Sequence, residues 1–206
     1  MSIPLRLTDR KREAILQAAI AEFLAHGFDA TSMDKIAASA AVSKRTVYNH
    51  FPSKDDLFEA ILLQLWDSSA ALAEIRYQPG QALREQLMAL MQQKMSMLND
   101  KSFMDLARVA IATAIHDPVR AQEMIARMGA REEGVTTWLR AAQADGQIRD
   151  IDPEFAAHML QGQIKAFAFW PQIAMGQPPL TDTQQAAVIQ TAVDMFLAYL
   201  AVSTVG

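Results

Sequence analysis

Lys44, Arg45, Thr46, Tyr48, Asn49 and His50 fall in one short stretch, and Lys54 follows four residues later. Long polar side chains at the head of a short helix can enter a DNA major groove, which is about 12 Å wide. Donors on the flanks of that helix can fix its register on phosphates. Lys44 and Arg45 have the reach for a base edge or a phosphate. Thr46 suits a phosphate or a thymine methyl. Tyr48 is one helical turn on from Lys44 and Arg45, so it shares their side. His50 and Lys54 stand where the groove wall would run. Val47 and Phe51, four apart, turn inward as core. On charge alone, a solvated helix face remains the alternative.

These residues need elements to hold them out. Ile15, Ala18, Ala19, Phe23 and Leu24 make one apolar face of a first helix over Ala14–Phe28, with Gly27 where a left-handed C′ residue belongs. Thr31-Ser32-Met33-Asp34 reads as a capping box, a hydroxyl with an acid three residues on. Ile36, Ala37 and Ala40 give a short second helix. Ala41-Val42-Ser43 breaks it, and Ser43 caps a third helix through His50. Phe51-Pro52 ends that helix, because a residue before proline leaves the helical region. Ser53-Lys54-Asp55-Asp56 is a second capping box, opening a fourth helix whose free N–H groups form a further phosphate site. Helices are expected over 82–98, 103–115, 118–144, 153–176 with a kink at Pro171, and 182–203. The total is about nine helices and no strand, an all-α chain.

Composition narrows the classes. Among 206 residues there is no cysteine, which excludes disulfides, thiol nucleophiles and thiolate metal sites. Gly and Pro number only 8 each, against a loop-rich β fold. Asp182 and Asp194 interrupt the apolar C-terminal part, and the first 30 residues show no signal-peptide pattern, so a cytoplasmic protein without membrane attachment is expected. The net charge is −4, yet residues 1–65 hold eight Lys/Arg and eight Asp/Glu. No acid lies between Lys35 and Lys54, so a basic strip on an acidic protein points to a polyanionic partner for that strip. No G-x-S-x-G, Gly-rich phosphate loop or H-E-x-x-H occurs, and the histidines are isolated, so neither an enzyme, a metal site nor a cofactor is expected.

The run Thr-Ser-Met-Asp-Lys-Ile-Ala-Ala-Ser-Ala-Ala-Val-Ser-Lys-Arg-Thr-Val-Tyr-Asn-His-Phe-Pro-Ser-Lys-Asp-Asp-Leu, residues 31–57, closely resembles the DNA-binding domain of the TetR family of transcriptional regulators. The likeness runs from about Arg10 to Leu62, with Ala41 where the family has a turn glycine. It implies a helix-turn-helix domain over residues 1–55 and an effector-binding and dimerisation domain over 56–206. It implies Lys44, Arg45 and Tyr48 as base readers, Asn49 as a further one, and Ser32, Thr46, His50 and Lys54 as phosphate contacts. The stretches Gly146–Pro153 and Phe169-Trp170-Pro171 are similar to the AefR-like C-terminal subgroup. The implied protein is a homodimer on a near-palindromic operator, a repressor released by a small molecule. A helical enzyme or carrier and an all-helical interaction module are the other classes weighed.

In the C-terminal part Met88, Met91, Met95, Met97 and Met104 fall within seventeen residues, joined by Phe103, Met124, Met128 and Trp138. Methionine adapts to varied apolar shapes. The set lines an apolar effector cavity or is ordinary core; the resemblance brings the cavity level with ordinary core without naming its residues. Helices 153–176 and 182–203 are more apolar than an outer pair requires. A symmetric dimer would bury the excess.

Overall fold

In the computed structural model the apolar faces become eleven helices among the described residues. It describes residues 7–70, 76–128 and 134–200, the side chains of 7, 66–70, 120, 124, 125, 127 and 128 aside, and no strand occurs among the described residues. The helices are α1 (Leu7–His26), α2 (Met33–Ser39), α3 (Lys44–His50), α4 (Lys54–Ala70), α5 (Leu83–Asn99), α6 (Lys101–His116), α7 (Pro118–Met128), α8 (Gly134–Ala144), α9 (Pro153–Ala168), α10 (Trp170–Met175) and α11 (Asp182–Leu200). The expected helix over 118–144 is described as α7 and α8, with 129–133 outside the described residues. The expected helix over 153–176 ends at Ala168 and restarts as α10. Pro171 is the reason, since it has no N–H for the ladder and its ring crowds the preceding turn. No described helix is long and apolar enough to cross a membrane.

The chain forms two compact units, one of residues 1–66 with 105–130, the other of 67–104 with 131–206. In the first unit α1, α2, α3 and the start of α4 close on one core. Ile15, Ala19, Ile36, Val47, Leu57 and Ile61 in it are fully buried. Phe23, Phe28 and Phe58 meet there as a ring triangle, with centroids 5.2, 5.3 and 6.4 Å apart. Leu57, Phe58 and Ile61 of α4 belong to this core, so it extends past residue 55.

Local caps fix the entries. Ser32 caps α2, its Oγ accepting from the Lys35 N–H at 3.2 Å, which moves the expected cap on by one residue. Thr31 is buried, and its hydroxyl donates to the carbonyls of Gly27 at 2.8 Å and Glu22 at 3.2 Å at the end of α1. A residue with its hydroxyl turned back to α1 cannot also cap α2. Lys54 completes the same turn. Its ammonium donates to the carbonyls of Phe28 (2.6 Å), Thr31 (3.0 Å) and Asp29 (3.2 Å) and stands 4.4 Å from the Phe28 ring centre. Three N–H donors meet three acceptors, which is all a lysine has.

In the second unit α5, α8, α9 and α11 pack around Leu87, Met91, Met95, Trp138, Leu139, Leu160, Ile164, Val193 and Phe196. Buried Gln86 satisfies every polar atom it has. Its Oε1 accepts from the Trp138 indole N–H at 3.1 Å and the Gln78 N–H at 2.8 Å, and its Nε2 donates to the Gln78 and Gln81 carbonyls. Tyr77 lies edge-on to Trp138 and donates to Asp145 at 2.6 Å. Partial burial, then the hydrogen bond and charge of Asp145, push the Tyr77 phenol up to about 12. Arg84 of α5 grips Asp194 of α11 through two bonds, at 2.8 and 3.3 Å.

The ammonium of Lys54 does the work of a cap on the α1–α2 turn. Lys54→Met is therefore expected to lower the unfolding free energy by about 1.5–3 kcal/mol, the range for hydrogen bonds to a charged group. Urea titration monitored by circular dichroism checks this; an unchanged midpoint would refute it.

Candidate nucleic-acid interface

The turn between α2 and α3 decides which way α3 faces. Ala40 ends α2, and Ala41 takes φ +52°, the left-handed region usually left to glycine. The Val42 N–H reaches the Ala37 carbonyl at 3.1 Å and the Ala41 N–H reaches Ala38 at 3.1 Å. These are the two bonds of a Schellman motif, and they satisfy carbonyls that α2 would otherwise leave open. The departure noted at Ala41 thus leaves the turn intact, at the cost of a strained alanine.

Ser43 then caps α3, its Oγ accepting from the Thr46 N–H at 3.1 Å. Val47 of α3 and Phe51 just after it are buried, at 0% and 3% exposure. With those two turned in, the rest of the short helix faces out. Lys44, Arg45 and Asn49 are exposed, Tyr48 is 49% exposed, and His50 is half-buried beside Phe51. Ser32, at the head of α2, is exposed as well. The face holding Lys44, Arg45, Tyr48 and Asn49 is the one the spacing predicts.

Two of the expected phosphate contacts have partners within the unit. The Thr46 hydroxyl lies 2.8 Å from that of Ser43 and is half-buried. Lys54 departs furthest from expectation: its three donors are spent on the carbonyls of the α1–α2 turn, so in this conformation none is turned to a phosphate. Two contacts to α3 and its end escaped the sequence reading, which took Asp34 only as the acid of a capping box. Asp34 of α2 accepts from the Lys44 ammonium at 2.5 Å, a salt bridge with both side chains more than half exposed. Arg12 of α1 lays its guanidinium 5.0 Å from the centre of the Phe51 ring, at the end of α3. Asp34 and Lys44 lie on different helices, and no spacing rule links them.

The residues proposed for an effector divide. Met91, Met95, Phe103 and Trp138 are buried and Met88 is half-buried. The side chains of Met124 and Met128 lie outside the described residues. On the outer side of α9 and α11 there is a different feature, an apolar groove of about 460 Å³ lined by Gln163, Phe167, Ala187, Val188, Thr191, Ala192 and Met195. Phe155, Met159, Phe167 and Met195 are each at least half exposed along these two helices.

Comparison with known proteins agrees with this architecture. Residues 15–61 match the model of the bacterial regulatory proteins of the tetR family, and residues 85–201 match that of the AefR-like transcriptional repressor C-terminal domain. A TetR family transcriptional regulator from Pseudomonas syringae pv. tomato str. DC3000 is 49% identical, with a TM-score of 0.85 over 95% of this chain and 99% of its own. The HTH-type transcriptional regulator UidR of Escherichia coli (strain K12) is 32% identical over 72% of this chain and 75% of its own. The structure of the flavonoid-responsive regulator FrrA is 25% identical, with a TM-score of 0.69 over 95% of this chain and 100% of its own. An exposed reading helix, a capped turn that aims it, and matches to both family models over most of the chain make this protein a member of the TetR family of DNA-binding transcriptional regulators, with an AefR-like C-terminal domain.

Proposed function

We propose that the chain acts as a homodimeric repressor on a near-palindromic operator and leaves it when an apolar or amphipathic small molecule binds. Residues 1–55 carry the DNA contacts and residues 56–206 the dimer contacts and the effector. Lys44, Arg45 and Tyr48 read bases with Asn49, while Ser32, Thr46 and His50 meet phosphates. The observation that carries the reading is the outward face of α3, a helix whose only buried residue is Val47. Two such helices must stand about 34–36 Å apart to enter successive major grooves. An exposed apolar face on α9 and α11 supports a partner copy there, since a monomer rarely leaves so many large apolar side chains in water.

The effector reading is supported by the methionines of α5 and by the name of a flavonoid-responsive relative. Met91, Met95, Phe103 and Trp138 are closed in the core with Met88 at its margin, and flexible methionines there can part to admit a planar apolar guest. A guest that favours a form unable to dock weakens operator binding by about 5–150-fold for a coupling of 1–3 kcal/mol.

Enrichment of random duplexes by the purified protein identifies the operator, and a preference for no sequence would refute the reading. On the enriched duplex, Tyr48→Ala is expected to weaken binding about 5–150-fold, the 1–3 kcal/mol range for a lost base contact, with the thermal midpoint unchanged. Loss of folding in that variant would mean the tyrosine is core. Phe167→Glu puts a charge into the α9–α11 face, and sedimentation should then find a monomer that no longer holds the operator. A dimer that survives this change would place the interface elsewhere. A panel of planar aromatic compounds, flavonoids included, should raise the thermal midpoint and release the operator, and Met95→Lys should abolish both effects. Release that persists in that variant would move the effector away from α5.

A further inference from the structure

Asp34 is the one acid in ion-pair contact with the reading helix among the described residues. It stands in the first turn of α2 and holds Lys44, in the first turn of α3, at 2.5 Å. The carboxylate is 55% exposed and the ammonium 66%. An ion pair in water adds little to folding stability, and as an acid in the first turn of α2 Asp34 is stabilised by the helix end whether or not Lys44 is near. The second residue of α2 could have been neutral without loss of the cap, which Ser32 supplies through its own hydroxyl. A negative charge here also stands on the face turned to a polyanion, where it costs binding energy. What the helix end does not require is the contact with Lys44 of another helix.

We infer that Asp34 is a specificity-determining residue, which acts by denying the Lys44 ammonium to the phosphate backbone. Non-specific binding is nearly all phosphate neutralisation, with a salt slope close to 0.9 for each phosphate contacted on duplex DNA. A lysine already neutralised by a neighbouring carboxylate releases no counterion when it nears a random duplex. On the operator the same lysine is aimed at a base edge, where an O6/N7 pair competes for its donors. Asp34 thus lowers affinity for the many wrong sites more than for the right one, which is how a repulsive element raises selectivity.

The inference rests on the DNA-binding reading above, and the test separates the two. Binding of the full-length protein to a random-sequence 30-bp duplex and to the enriched duplex is titrated from 50 to 300 mM salt. Asp34→Asn should bind the random duplex about 3–10-fold more tightly at 100 mM salt. Its salt slope there should steepen by about 2 per dimer, one phosphate for each released lysine. Affinity for the enriched duplex should rise less, so the ratio of the two falls. Asp34→Glu, which keeps the charge, should retain the parent slope. In a Lys44→Gln background Asp34→Asn should leave the random-duplex slope unchanged. Equal steepening in that background would overturn the inference, because Asp34 would then act as bulk charge. A fall in operator affinity with an unchanged random-duplex slope would overturn it too, because Asp34 would then be touching a base. The random-duplex arm decides whether Asp34 withholds Lys44 from phosphates even if the parent protein enriches no sequence; in that case the operator reading falls and the specificity role falls with it.

Discussion

Everything at the DNA face depends on two side chains going inward. α3 has seven residues, too few to hold a helix in water by itself. Val47 and Phe51 bury almost completely against the core of α1, α2 and α4, and each contributes on the order of 1.5–3 kcal/mol through the hydrophobic effect. That packing replaces the stability the short helix lacks. It also fixes rotation about the helix axis, because four residues of spacing leave a single way to bury both. Lys44, Arg45 and Tyr48 point outward as a consequence of where Val47 points.

The surrounding devices serve the same constraint. The phenylalanine triangle belongs to the same core as the pair. The Schellman turn at Ala40–Val42 sets the angle between α2 and α3 while answering the open carbonyls of α2. Lys54 closes the α1–α2 turn by meeting three carbonyls with one ammonium. A charge that sequence spacing assigns to the partner is thus consumed by the scaffold. The same economy governs Gln86 in the second unit, where one side-chain amide answers an indole and the backbone of the 77–81 loop.

Charge on the reading face is more balanced than its composition suggests. The strip from Lys35 to Lys54 holds no acid, yet α2 brings Asp34 onto Lys44 from just outside it. The field a nucleic acid meets is therefore set by side chains from two helices, and a tally along the chain misses the opposing one. On α9 and α11 the reverse holds. There the excess of apolar residues was visible as composition, and folding leaves Phe155, Met159, Phe167 and Met195 in the open rather than absorbing them.

The sequence alone determined the helices of the DNA-binding part and the outward side of α3, because hydrophobic spacing and caps are local and each is written within a few residues. It also marked a kink at Pro171, which the fold makes a break between α9 and α10, since proline acts on its own turn. Local spacing could not assign the partners of long side chains. Lys54 reaches back 26 positions to the Phe28 carbonyl, Asp34 reaches forward ten to Lys44, and Trp138 reaches Gln86 across 52. A flexible cation goes to whatever acceptors folding sets within its radius, and only the packing of α1, α2, α3 and α4 decides which those are.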